Sequence, residues 1–200
     1  MSVVSHYTSF DCALLILTSG KVKFSSMLNS NDRNEIEYCK EKKPESQHYY
    51  FCVSHKEMDS LMWFSYSKDR RGACIEFILK KKKRINTLIK SEKYTIEKGN
   101  ISYIGNPNKR KTKKKDNKIK AGFIKDWIFK REQEYRFLIS TKKEPNTEKE
   151  TNPMIDINFD IVEKINLYVT NFFDVKVLQK IFDSYDVLKN LVEVKIEERL

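Results

Sequence analysis

The stretch densest in reactive groups is Trp127-Ile128-Phe129-Lys130-Arg131-Glu132-Gln133-Glu134-Tyr135-Arg136-Phe137. Read as extended chain from Glu132 onward, it alternates with a period of two. Glu132, Glu134, Arg136 and Leu138 then share one face, and Gln133, Tyr135, Phe137 and Ile139 share the other, which reads as core. Neighbours on one face stand about 7 Å apart along a strand. Arg136 can therefore orient one carboxylate while the other meets a substrate. A carboxylate so placed can stabilise an oxocarbenium-like centre or hydrogen-bond a ribose hydroxyl. A plain surface ladder of ion pairs would show the same pattern and be worth little.

His6 is the second candidate: it follows Val3 and Val4 and precedes a capped helix. A histidine at a strand end can hydrogen-bond a ribose or phosphate without acting as a base. Trp63 and Tyr66 lie three apart, one helical face, and can stack on a planar ring. Ser54, closing Phe51-Cys52-Val53-Ser54, can point a hydroxyl toward the same ring. Each of these is also compatible with ordinary core. His48 and His55 have no metal-ligand spacing with Cys39 or Cys52, so no metal is assigned. Only five glycines are present, and no glycine-rich phosphate cradle or GxSxG elbow occurs.

The formal net charge of +11 is local. Residues 80–84 (KKKKR) contribute +5, residues 109–120 (KRKTKKKDNKIK) contribute +7, and the remainder sums to −1. Lys109, Arg110, Lys111, Lys113, Lys114 and Lys115 are candidate nucleic-acid contacts, because neutralising phosphates releases counterions. Lysine outnumbers arginine 31 to 8, which favours point charge over base reading.

At 200 residues with 40% hydrophobic and 12% aromatic content, the chain can bury a core and is not disordered in composition. Cys12, Cys39, Cys52 and Cys74 form no CxxC pair, which argues against zinc ribbons and thioredoxin-type sites. No apolar run is long enough to span a membrane, and the first residues lack a signal-peptide pattern. The expectation is a cytoplasmic protein with reduced thiols and no membrane partner.

The elements that must position these groups follow from periodicity and caps. A strand is expected around residues 3–6. A helix is expected over 10–19, with Ser9 as N-cap and Gly20 as stop. Strands are expected at 22–24, 48–54, 73–79, within 94–104, at 135–139, within 155–169 and at 192–196. Helices are expected at 60–66 and 175–182, and one whose apolar face carries Ile119, Phe123 and Trp127. Residues 29–35 read as a polar turn and 144–153 as a linker. Without a βαβ rhythm or repeat, this is one α+β domain over residues 1–200, with a basic mobile loop around 106–118.

These pieces together resemble a bacterial domain-of-unknown-function family, the one numbered two-nine-seven-one. The resemblance rests on His6-Tyr7-Thr8 with the Leu14-Leu15-Ile16-Leu17 helix, Lys23-Phe24-Ser25-Ser26, Asn31-Asp32 with Glu35, and Cys52-Val53-Ser54. It continues in Met62-Trp63-Phe64-Ser65-Tyr66, Gly72, Lys125-Asp126-Trp127 and Glu132-Gln133-Glu134-Tyr135-Arg136. The family usually carries proline after Asn-Asp, where this chain has Arg33. The opening His6-Tyr7-Thr8 and its leucine-rich helix are also similar to the bacterial toxins that ADP-ribosylate DNA.

That second resemblance implies a split mixed or antiparallel sheet with flanking helices, like the ADP-ribosyltransferase fold, and NAD as substrate with no metal. It implies that His6, with Tyr7 and Thr8, holds the adenosine-side ribose, and that Ser54, Trp63 and Tyr66 serve the nicotinamide side. Glu134 would bind the reacting ribose, Glu132 is the runner-up, and Arg136 would orient the carboxylates. The implied function is ADP-ribosylation of RNA or DNA in a toxin–antitoxin or phage-defence setting, with a neutralising antitoxin protein. The competing readings are a protein acceptor, a non-enzymatic nucleic-acid-binding module, and a Mg²⁺-dependent nuclease using Glu132 and Glu134.

Overall fold

The computed structural model describes residues 2–37, 39–40, 45–56, 59–67, 72–105, 121–142, 152–171 and 173–197. The basic run 109–120 and most of the 144–153 stretch lie outside the described residues. The architecture is α+β, with a mostly antiparallel mixed sheet and a few helices. The chain divides into two compact units, Met1–Val22 with Val53–Lys90 and Ile155–Leu200, and Lys23–Cys52 with Ser91–Met154.

In the first unit, β1 (Ser2–Ser9) leads directly into α1 (Phe10–Ser19). The Ser9 hydroxyl accepts from the Cys12 N–H, and Gly20, at φ +68°, stops the helix in a conformation that costs glycine little. The short β2 (Lys21–Lys23) follows, and β3 (Ser25–Ser26) opens the second unit's share of the chain. Next come α2 (Arg33–Glu37), β4 (Ser46–Ser54), α3 (Ser60–Tyr66) and β5 (Gly72–Leu79). β6 (Ile89–Lys90), β7 (Glu97–Asn100), β8 (Ser102–Ile104), β9 (Ile124–Asp126) and β10 (Glu134–Lys142) lead to β11 (Met154–Ile157). β12 (Val162–Val169), α4 (Val175–Asp183) and β13 (Val192–Ile196) complete the chain.

The first unit's main sheet runs β13-β12-β5-β1. β12 pairs with β13 in parallel and with β5 antiparallel, and β1 pairs with β5 antiparallel over its whole length. The last two residues of β4 also belong to this unit, where Ser54 stands opposite Ser5. Val4, Ala13, Ile75, Leu79, Ile165, Leu167 and Phe182 are wholly buried. Asp59 caps α3 by accepting from Leu61 and Met62, and the Asp59 N–H in turn donates to the Tyr7 hydroxyl at 2.8 Å. Gly72 opens β5 so close to α3 that a Cβ would lie 2.1 Å from the Ser67 carbonyl oxygen.

The second unit places β3, β4, β10 and β7 in one sheet, with β10 between β4 and β7. One face is aromatic: Phe24, Phe51 and Phe137 follow one another in tilted ring contacts at 6.2 and 6.1 Å, and Tyr135 meets Phe137 edge-on at 5.3 Å. The other face borders a core of Met27, Cys39, Ile101, Phe123 and Leu138.

Two expectations fail, both next to the reactive stretch. No helix carries Phe123 and Trp127; residues 121–123 form a single 3-10 turn, 124–126 a strand, and Trp127–Glu132 another 3-10 helix. Asp126 is the cause. Its side chain accepts from the Ile128 N–H, and an N-cap of this kind requires the extended backbone it adopts (φ −62°, ψ 150°). The extended run also does not start at Glu132. Gln133 takes φ +44°, so Glu132 belongs to the 3-10 helix and alternation begins at Glu134. At 29–35, the polar turn contains the start of α2, and Arg33 occupies its first position, where proline is favoured. The replacement of the family's proline therefore falls where either residue fits.

Candidate functional site

The second unit gathers Glu35, Lys125, Glu132, Glu134 and Arg136 from four separate elements. β10 supplies Glu134 and Arg136 on one face, as the period of two requires. β9 supplies Lys125, the 3-10 helix supplies Glu132, and α2 supplies Glu35. Arg136 is wholly buried; its Nε donates to Glu134 at 2.6 Å and its Nη1 to the Gly122 carbonyl at 2.9 Å. Nη1 also lies 2.5 Å from Glu35, and the guanidinium stacks on the Tyr50 ring at 4.7 Å. Lys125 bridges Glu132 at 2.6 Å and Glu134 at 3.1 Å. It takes the place between the two carboxylates that a bridging metal ion would take.

The segment carrying Glu35 is itself fastened to this site. Asp32 accepts from the Asn34 N–H at 2.9 Å, capping α2, and from the Asp126 N–H at 3.1 Å, tying that turn to β9. The Ser30 hydroxyl donates to Glu35. The Tyr103 hydroxyl accepts from the Glu134 N–H at 2.9 Å.

Three carboxylates face two cations here, and burial sharpens every term. Burial alone would raise the Glu134 carboxyl, but Arg136 and Lys125 outweigh it and hold the group below the usual carboxylate range. Burial would lower the Lys125 ammonium, yet Glu134, Glu132 and Glu35 hold it above its ordinary value. Arg136 is raised in the same way against its burial, by Glu134 and Glu35. Burial, with Glu134 beside it, pushes the Cys52 thiol up, so this cysteine is a poor nucleophile at neutral pH. Burial pushes the Tyr103 hydroxyl up to about 12. The site therefore holds a fixed, ionised carboxylate, suited to stabilising positive charge rather than to giving up a proton.

The remaining candidates sit in the first unit. On β1, Tyr7 faces α3, where it packs with Trp63, Cys74, Tyr66 and Tyr168. Ser54, opposite Ser5, shares that face of the sheet. His6 and Thr8 alternate to the other face of β1, away from Trp63. Ser54, Tyr7, Trp63 and Tyr66 are thus brought to one side of the sheet, whereas His6 and Thr8 are not. Glu132, Glu134 and Arg136 are brought together in the second unit. Lys109, Arg110, Lys111, Lys113, Lys114 and Lys115 lie outside the described residues.

Lys125, Asp32 and Glu35 were legible as pieces of the family pattern but not as members of one site. Only the fold shows that the pattern's scattered acidic and basic residues meet.

Residues 62–137 match the family described as "Protein of unknown function (DUF2971)". The resemblance seen in the sequence holds over that stretch, which contains Lys125, Glu132, Glu134 and Arg136. No curated protein sequence and no solved structure matches the chain. Among the described residues, no cluster of His, Cys, Asp and Glu is arranged to hold a metal ion, and no helix is long and apolar enough to cross a membrane.

Proposed function

We propose that this protein transfers ADP-ribose from NAD to a nucleic-acid acceptor, with Glu134 as the carboxylate that meets the reacting ribose. The observation that carries this reading is the state of Glu134: Arg136 at 2.6 Å and Lys125 at 3.1 Å keep it ionised and immobile. In the reaction the bond between ribose and nicotinamide breaks, and its electron pair leaves with the nicotinamide. Positive charge then develops on the ribose, and a preorganised anion is worth most at that moment. The acceptor nucleophile forms the new bond at the same carbon and loses its proton to solvent.

Glu132, held through Lys125, is the second carboxylate of the site, and Arg136 positions Glu134. The sequence resemblance assigns His6, Tyr7 and Thr8 to the adenosine side and Ser54, Trp63 and Tyr66 to the nicotinamide side. The basic run at 109–115 supports a nucleic-acid acceptor by charge. The toxin resemblance supports a role in toxin–antitoxin or phage defence, with an antitoxin protein as partner and a cytoplasmic location.

One observation favours a second reading. Glu134 is only 4% exposed. A network this enclosed also suits a brace that shapes a non-enzymatic nucleic-acid-binding module. Incubation with NAD carrying a labelled adenylate, plus RNA, DNA or protein acceptors, separates the readings. Label on nucleic acid supports the proposal, and label on protein alone transfers it to a protein acceptor. Salt-sensitive nucleic-acid binding with no nicotinamide release supports the second reading.

A further inference from the structure

We infer that the first unit holds a binding site for a small organic ammonium ion, built on Glu76, Asn166 and Ser5. The inference does not rest on NAD chemistry: Glu76, Asn166 and Ser5 are not among the residues assigned to NAD, although the neighbouring Tyr7 and Trp63 are. Three adjacent strands bring them into register. Ser5 stands opposite Glu76, and Glu76 opposite Asn166; two residues along, Tyr7, Cys74 and Tyr168 form the next row. The period of two puts both rows on the same face of the sheet.

That face has a charge without a counter-charge. Glu76 is 6% exposed, and among the described residues no cation lies within ion-pair distance of it. Its Oε2 accepts from Asn166 Nδ2 at 2.6 Å and from the Tyr168 hydroxyl at 3.5 Å. Orienting that amide toward Glu76 leaves the Asn166 Oδ1 buried with no donor. Lys195 is the neighbouring cation, with Nζ 5.8 Å from the Tyr168 ring, but Glu193 engages it at 2.9 Å. Burial first, and then Glu76, Cys74 and Glu197, push the Tyr168 hydroxyl up to about 12.

A buried carboxylate without a cation and a buried acceptor without a donor are both unfavourable. A cation that donates hydrogen bonds resolves both at once. Glu76, Asn166 Oδ1 and the Ser5 hydroxyl offer three acceptors, and a primary ammonium carries three N–H donors. The walls select an organic cation over a hydrated inorganic one. Tyr7 and Trp63 pack here with Tyr168 beside them, and aromatic faces attract ammonium groups. Tyr168 is the half-buried member of this group.

The test is thermal unfolding of the full chain with n-butylammonium chloride, against equal concentrations of sodium chloride and tetramethylammonium chloride. Wild type is expected to gain Tm with n-butylammonium alone, since a ligand of the native state stabilises it by mass action. Glu76→Gln is expected to lose that gain while melting, unliganded, at or above wild type, because the uncompensated charge is gone. Three results would each overturn the inference: no gain in wild type, an equal gain with tetramethylammonium, or an undiminished gain in Glu76→Gln. If Glu76→Gln fails to fold, calorimetry on Tyr168→Leu decides. The inference expects roughly two- to thirty-fold weaker n-butylammonium binding there, and unchanged affinity contradicts it.

Discussion

Replacing Arg136 with methionine removes a group that ties β10 to α2, to the turn at Gly122 and to Tyr50 on β4. The side chain is wholly buried and is held by Glu134 at 2.6 Å, Glu35 at 2.5 Å and the Gly122 carbonyl at 2.9 Å, with Tyr50 stacked at 4.7 Å. Methionine fills similar volume but leaves two buried carboxylates short of a cation. Breaking a buried ion pair from one side costs about 3–5 kcal/mol, and the lost stacking adds roughly 1 kcal/mol. Some of this returns as apolar packing, so the net loss is about 4 kcal/mol. For a chain of this size that lowers Tm by roughly 8–16 °C. Arg136→Lys keeps the charge but not the planar fork, and should lose about 1–2 kcal/mol. Urea unfolding followed by circular dichroism gives both numbers. A double-mutant cycle of Arg136→Met with Glu35→Met should show coupling of at least about 1 kcal/mol. A loss below about 1 kcal/mol in Arg136→Met, with no coupling to Glu35, would refute the network as described.

The remaining predictions concern pH, backbone and thiols. Glu134 has a folded pKa below its unfolded value, so its contribution is present above about pH 4.3 and disappears as pH falls through the depressed folded value. The urea-midpoint difference between wild type and Glu134→Gln should therefore shrink on acidification below about pH 4; a constant difference contradicts this. Gln133→Gly should leave stability unchanged or raise it by up to about 1 kcal/mol, because φ at 133 is +44°; a loss greater than that in urea unfolding would show that the Gln133 side chain matters more than its backbone. Gly72→Ala should cost about 2 kcal/mol or more, since its Cβ would fall 2.1 Å from the Ser67 carbonyl oxygen; a neutral result means α3 can shift away from β5. Exposed Cys12 should react with a neutral-pH thiol reagent well before Cys52 and Cys74, whose thiols are raised by burial; equal rates contradict the packing.

Much of the fold was legible because local signals agreed with tertiary ones. Ser9 and Gly20 delimit α1, the apolar run at 73–79 forms β5, buried almost throughout, and the amphipathic spacing of α4 survives in the structure. The reactive stretch misled at Gln133 and Asp126. A left-handed glutamine and a capping aspartate override periodicity, and neither announces itself in residue spacing. The division into two units left no compositional trace, because three of its four borders fall inside β2, β4 and β11 and the fourth at the end of β6. Glu134 and Arg136 were legible as a pair through the period of two. The inclusion of Glu35 and Lys125 depends on long-range contacts that no short pattern encodes. Glu76 and Asn166 were invisible for the same reason, since each is an ordinary polar residue in an otherwise buried strand.

Nicotinamide release from NAD, measured with and without RNA or DNA for wild type and Glu134→Gln, tests the central claim most directly. Both proteins should first be shown to unfold cooperatively. The account predicts release and labelled nucleic acid from wild type, and a loss of about a hundred-fold or more in Glu134→Gln. Turnover that persists in a folded Glu134→Gln, or none from wild type with any acceptor, would contradict it.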